Sequence, residues 1–179
     1  MAANERPFVV WLTGLSGAGK STIASVLERR LRDEGVLVYN LDGDLLRTGL
    51  NRDLGFSDED RVENIRRVGE VARLMVSAGV SVIVSAISPF QMGRRMARDL
   101  LEPGLFVEVH VDATLADVEG RDVKGLYARA RNGEIPHFTG IDSPYEAPLD
   151  PEVHIASFIA SPEEEGEQVL RVIQAMGLV

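Results

Sequence analysis

Eight consecutive residues, Gly14-Leu15-Ser16-Gly17-Ala18-Gly19-Lys20-Ser21, carry the strongest chemical signal in the chain. Their spacing fits G-x-x-x-x-G-K-[ST], the pattern of a phosphate-binding loop. Gly14, Gly17 and Gly19 let backbone N–H groups turn inward without Cβ clashes. Thr22 leads into a helical pattern whose N-terminus would lie beneath the phosphates with its partial positive charge. Lys20 is long enough to reach β- and γ-phosphates, and the Ser21 hydroxyl suits Mg²⁺. The loop predicts a nucleoside triphosphate site. It does not say where the γ-phosphate goes.

Other residues offer candidate chemistry with a plainer reading beside each. Asp42 and Asp44 leave an apolar run two residues apart, on one face of an extended chain. Either one binds Mg²⁺ through water and the other accepts a proton from an attacking hydroxyl, or Asp-Gly-Asp is a simple turn. Arg47, Arg61, Arg66 and Arg67 are dense around one helix, and Arg61 and Asn64 share a helical face. They form a phosphate-recognition cluster or a solvated surface. Phe56 is a hydrophobic staple or a platform for a base, and Phe138 stacks on a purine or anchors a loop. Ser88 caps a helix beginning at Pro89 or faces the transferred phosphate. Arg121 to Tyr127, with Arg129 and Arg131 behind, is a cationic lid or an exposed basic helix.

These residues need elements to hold them. Apolar runs of strand length occur at Phe8–Leu12, Val36–Leu41, Val80–Ile87, Leu105–Val111 and Val153–Ala156. Helical spacing covers Thr22–Arg32, a long segment opened by the capping box Ser57–Asp60 and stopped by Gly79, and Phe90–Leu101. Thr114–Asp117 is a further capping box, Leu126–Arg131 a short helix, and Ser161-Pro162-Glu163-Glu164 opens the last helix. Leu45–Ser57 reads as a loop. Alternating strands and helices predict an α/β fold, a mostly parallel central sheet with helices on both faces. Ligands in such sheets sit at the carboxyl ends of strands, here Gly14–Lys20, Asp42–Asp44, Ile87–Ser88 and Asp112.

Composition narrows the classes. The 179 residues suit one domain, and no apolar run approaches the roughly 20 residues of a membrane span. Met1 to Pro7 lacks the apolar core of a signal peptide. Zero Cys excludes disulfides and thiolate sites and fits a reducing, cytoplasmic setting. His110, His137 and His154 are too scattered to suggest zinc. A net charge of −9 argues against nucleic acid as a partner, so an anionic substrate needs a local Arg/Lys cluster.

Together these stretches resemble the adenylylsulfate kinase family, which phosphorylates adenosine 5′-phosphosulfate (APS) on its 3′-hydroxyl. The resemblance runs from about Phe8 to Pro151. It rests on GLSGAGKST (14–22), DGD, LR and GL (42–50), DLGFS, DR and ENIRR (53–67), ISPF (87–90), RD and KGLY (121–127) and FTGIDSPYEAP (138–148). It implies a P-loop kinase fold in a single domain, 1–179, with a mobile lid over about 121–150, working as a homodimer on ATP, Mg²⁺ and APS. The implied APS pocket is Asp44, Arg47, Phe56, Arg61, Asn64, Ile87, Ser88, Lys124, Leu126 and Phe138, with Asp42 beside it. Phe56 and Phe138 would sandwich the APS adenine, and Arg47, Arg61 and Asn64 would hold the phosphosulfate. Mg²⁺ would sit on Ser21 and Asp42. Asp44 would orient or deprotonate the 3′-hydroxyl, while Lys20 and Lys124 would stabilise the transferring phosphoryl group. Ser88 matches the serine the family describes as a phosphoserine intermediate. In-line transfer needs no covalent carrier, so Ser88 is read here as positioning the substrate. The ATP adenine is placed near Phe158–Ser161. Val118, Gly120 and Gln91-Met92-Gly93 depart from the family pattern without removing a motif residue. Two other functions are weighed: another small-molecule kinase of this fold class, and a non-catalytic nucleotide-binding regulatory module.

Overall fold

The computed structural model describes residues 6–179, so the reading of Met1 to Pro7 falls mainly outside the described residues. Among the described residues five strands form one parallel sheet: β1 (Val9–Thr13), β2 (Val38–Asp42), β3 (Ser81–Ser85), β4 (Phe106–Asp112) and β5 (Val153–Ala156). Their order is β2-β3-β1-β4-β5. β1 is central, with Val9 opposite Val82 on one side and Phe106 on the other. All five of its residues are buried. A strand covered on both faces is apolar throughout, which explains the unbroken Val-Val-Trp-Leu run.

The helices are α1 (Lys20–Asp33), α2 (Gly43–Thr48), α3 (Asp58–Ser77), α4 (Gln91–Arg98), α5 (Leu115–Arg121), α6 (Leu126–Arg131) and α7 (Pro162–Ala175). Alternation along β1 divides the core. Val10 and Leu12 join Ile23, Leu27 and Leu31 of α1 and Val169 and Ile173 of α7. Val9 and Trp11 join Ile65, Val68 and Ala72 of α3 and Ala97 of α4. No helix among the described residues is long and apolar enough to cross a membrane.

Capping boxes close α5 at Thr114 and α7 at Ser161, as their spacing predicts. Two local expectations are corrected. Residues 45–57 are not loop throughout: α2 forms because the Asp42 carboxylate accepts the backbone N–H of Asp44 and Leu45. None of its residues is buried, so α2 has no apolar face for spacing to show. Ser88 is not a helix cap. β3 ends at Ser85, and residues 86–90 run on irregularly. The α4 N-cap is Phe90, and the Gln91 N–H is met from across the fold by Glu146 at 2.7 Å.

Candidate active site

β1 ends at Thr13 and the chain turns over the head of α1. Gly14, Gly17 and Gly19 all have positive φ. At Gly14 a Cβ would lie 2.3 Å from the Val111 carbonyl oxygen, so a side chain has no room there. Lys20, the first residue of α1, is buried and folds back over the loop. Its Nζ donates to the carbonyls of Gly14 (2.9 Å) and Leu15 (2.7 Å). Burial pushes its pKa down to about 8, although Asp44 and Asp42 pull the other way.

Ser21 Oγ donates to Asp42 Oδ2 at 2.8 Å, and Ser85 Oγ to the same oxygen at 3.2 Å. Burial alone would raise the Asp42 pKa. Hydrogen bonds from Ser21, two backbone amides and Ser85 outweigh it and hold the carboxyl below the usual range. In the first turn of α2, Asp44 Oδ2 meets Lys124 Nζ at 2.6 Å, reaching across from the segment between α5 and α6. Both partners of this pair are largely exposed.

A second group faces the loop. Arg61 is buried, with Nε on the Phe56 carbonyl at 3.0 Å and a terminal nitrogen on the His137 carbonyl. Arg47 lies 4.5 Å over the Phe56 ring. Arg66 and Arg67 behave differently. They pair with Glu63, and Arg67 with Asp53, in the solvated manner of surface arginines. Asn51 is a residue missed in the sequence. It is fully buried, and its Nδ2 donates to Asn64 Oδ1 at 3.0 Å. That bond engages the Asn64 oxygen and leaves both its amide N–H donors to offer a ligand. Asn51 lies in an apparent loop, where nothing but its later burial marks it.

Ser88 Oγ accepts from Trp11 Nε1 at 3.0 Å and donates to the Ala86 carbonyl at 3.3 Å. Its backbone has φ +40°. That strained turn is tied down by Arg94, also missed in the sequence, which is buried and donates to the Ser88 carbonyl (2.7 Å), the Glu146 carbonyl (2.8 Å) and the Glu108 carboxylate (2.7 Å). On α6, Tyr127 OH donates to the Ser16 carbonyl at 2.8 Å and the ring packs edge-on against Phe138. The 121–150 segment is thereby tethered to the phosphate-binding loop.

One cavity of about 850 Å³ gathers these groups. Ser16, Gly17, Gly19, Lys20, Ser21, Thr22, Asp42, Asp44, Arg47, Phe56, Arg61, Asn64, Ile87, Ser88, Lys124, Leu126 and Phe138 all line it. Gly14, Leu15 and Ala18 lie outside its lining, buried behind the loop or shaping its turn. The chain matches the adenylylsulphate kinase family over residues 6–156. It belongs to that family.

Relatives agree. The chain is 59% identical over 160 residues to the adenylyl-sulfate kinase of Burkholderia ambifaria, covering 89% of this chain and 88% of that one. It is 62% identical over 161 residues to the bifunctional enzyme NodQ of Rhizobium sp. (strain N33), covering 90% of this chain but only 25% of NodQ. The chain thus spans about a quarter of the bifunctional relatives it matches. Among solved structures it is similar to the Mycobacterium tuberculosis APS kinase CysC in complex with AMPPNP and APS, with TM-score 0.89, 48% identity, and coverage of 94% of this chain and 98% of that one.

Arg121, on the cavity wall, sits 4.2 Å over the ring of Phe158, which is outside the lining and has positive φ. The histidines are less scattered than their numbers suggest, since the β4–β5 register sets His110 opposite His154.

Proposed function

We propose that the protein transfers the γ-phosphoryl group of ATP to the 3′-hydroxyl of APS, giving ADP and 3′-phosphoadenosine 5′-phosphosulfate (PAPS), a step of sulfate activation. The observation that carries this reading is one cavity holding both the phosphate loop with Lys20 and the Arg47/Phe56/Arg61/Asn64 cluster. A triphosphate fits the first and an aromatic phosphosulfate the second. We assign APS binding to Asp42, Asp44, Arg47, Phe56, Arg61, Asn64, Ile87, Ser88, Lys124, Leu126 and Phe138, and the ATP phosphates to Gly14–Thr22. Arg121 over Phe158 supports a nearby place for the ATP adenine, next to Phe158–Ser161.

The site fits Mg²⁺. Its oxygen-only donors, Ser21 Oγ and Asp42 Oδ2, are 2.8 Å apart, close to the roughly 3 Å edge of an oxygen octahedron around that ion. When bound, Mg²⁺ neutralises charge on the β- and γ-phosphates. The chain's own residues do the rest. Asp44 accepts the 3′-hydroxyl proton as that oxygen attacks the γ-phosphorus and the bond to the β–γ bridging oxygen breaks. Lys20 exchanges its loop carbonyls for phosphate oxygens. Lys124 leaves Asp44 for the transferring group as the 121–150 lid closes. Ser88, its hydroxyl held by Trp11 and Ala86, shapes the acceptor pocket. The family reading also carries a homodimer and a cytoplasmic setting.

The deciding experiment measures ADP release with Mg·ATP and APS beside shikimate, gluconate and AMP, with PAPS identified chromatographically. Release with APS alone is expected. Release only with another acceptor overturns the substrate, and APS binding without turnover indicates a regulatory module.

Two further outcomes follow from the geometry. Asn51→Ala frees the Asn64 amide to rotate and leaves a buried group unpaired, so KM for APS rises about tenfold with a stability loss of about 1–3 kcal/mol, read by kinetics and denaturant unfolding. Lys20 supplies the second. Its folded pKa lies below the ordinary lysine value, so between about pH 8 and 10.5 the unfolded chain holds more protons and stability rises with pH. Bound phosphates favour the ammonium form. Nucleotide binding near pH 8–9 therefore takes up a proton, seen by calorimetry in buffers of different ionisation enthalpy, and ATP affinity falls as pH climbs past 8.

A further inference from the structure

The carboxyl ends of β4 and β5 bring together three ligand-type side chains that the phosphoryl-transfer site does not use. His110 and His154 face each other across the β4–β5 register, and Asp112 follows two residues after His110 on the same face. His154 Nε2 is 2.9 Å from Asp112 Oδ2, and His110 Nε2 is 4.0 Å from Asp112 Oδ1. One ligand atom from each of the three lies within 4.8 Å of the others. The His110 ring is buried, stacked on Tyr145 and edge-on to His154. Among the described residues it makes no hydrogen bond.

We propose that His110, Asp112 and His154 form a binding site for a borderline divalent transition metal of the zinc class, separate from the Mg²⁺ position at Ser21 and Asp42. Two imidazoles and one carboxylate are a donor set for zinc or cobalt(II), whereas Mg²⁺ selects oxygen. Tetrahedral bonds of about 2.0–2.1 Å need donor separations of roughly 3.4 Å. His110 is the fixed post, held by Tyr145, whose hydroxyl is 3.1 Å from Thr13 Oγ1. Asp112 and His154 are about half exposed and close the remaining gap, leaving a fourth position to water. The ion ties two strand ends that also support the nucleotide site. The Asp112 carbonyl accepts the N–H of Ser157 at 2.8 Å, just before Phe158, and the Val111 carbonyl packs on Gly14.

The test is titration of metal-stripped protein with Co²⁺ in millimolar Mg²⁺. One equivalent is expected to give the intense visible bands of a tetrahedral nitrogen-ligated ion, displaced by Zn²⁺. At 100 times Kd, Zn²⁺ should raise Tm by about 5–10 °C. His154→Ala, at an exposed position, should keep metal-free Tm and weaken Co²⁺ binding about 100-fold or more, since outer-sphere partners alone are worth 10–100-fold. His154→Gln serves as a second variant should the alanine disturb folding. Equal binding by wild type and both variants, no tetrahedral band, or a signal lost only in Ser21→Ala overturns the site.

Discussion

Asp44→Asn lowers kcat by roughly 10²–10⁴-fold and leaves APS affinity within a few-fold of wild type. The reasoning starts from position. Asp44 sits at the start of α2, two residues past the Asp42 cap, so its carboxylate is aimed by a helix whose first turn is fixed at 2.9 Å and 3.2 Å to Asp42. It lines the cavity with Arg47 and Asn64, and its partner is Lys124, a side chain on the segment that would close. The amide keeps shape and loses basicity. The Asp44–Lys124 pair is exposed and contributes little to stability, so Tm should hold. Single-turnover rates and APS affinity measured on one preparation separate the effects. A variant with near-normal kcat removes the base role and leaves Asp44 as a clamp.

Lys20→Met is the second large effect. Loss of one preorganised donor to developing charge reduces rate by about 10²–10³-fold, and Lys20 also holds the β–γ region, so kcat/KM for ATP should fall at least that far. Stability should move the other way. A buried ammonium whose hydrogen bonds go to two carbonyls is a desolvated charge, and replacing such a charge with an apolar side chain of similar volume is often neutral or stabilising. The expected variant is inactive with an unchanged or higher Tm. A large drop in Tm instead would show that Lys20 braces the loop. Lys20→Arg is not conservative, since a bulkier planar guanidinium replaces a compact point charge at a buried position.

What the sequence made legible depended on how local the cause was. The phosphate loop, the capping boxes at Thr114 and Ser161 and the short helix at Leu126–Arg131 are set by neighbouring residues, and spacing revealed them. The Ser88-Pro89 pair misled because the same two residues that start many helices here make a strained turn, held by Trp11 and Arg94 from elsewhere in the chain. Asn51 and Arg94 act through partners 13 and 52 residues away, beyond the reach of any periodicity. The Asp42/Asp44 readings are not exclusive, since Asp42 both caps α2 and meets Ser21, contacts that spacing alone does not carry. His110 and His154 came together through strand register, which one sequence does not carry.

The central place of β1 has a consequence for the chain as it is made. β1 is made before either of its neighbours, β3 and β4. Phe8 donates its backbone N–H to Ser81, 73 positions on, and Val9 also needs Leu105 and Phe106. At about 5–20 residues per second, Val-Val-Trp-Leu waits roughly 4–15 s for its first partner, an apolar, uncharged strand with both edges open. Until β3 and β4 are made, β1 is an unpaired apolar strand, and fragments that stop before β4 should partition to the insoluble fraction more than the 179-residue chain does.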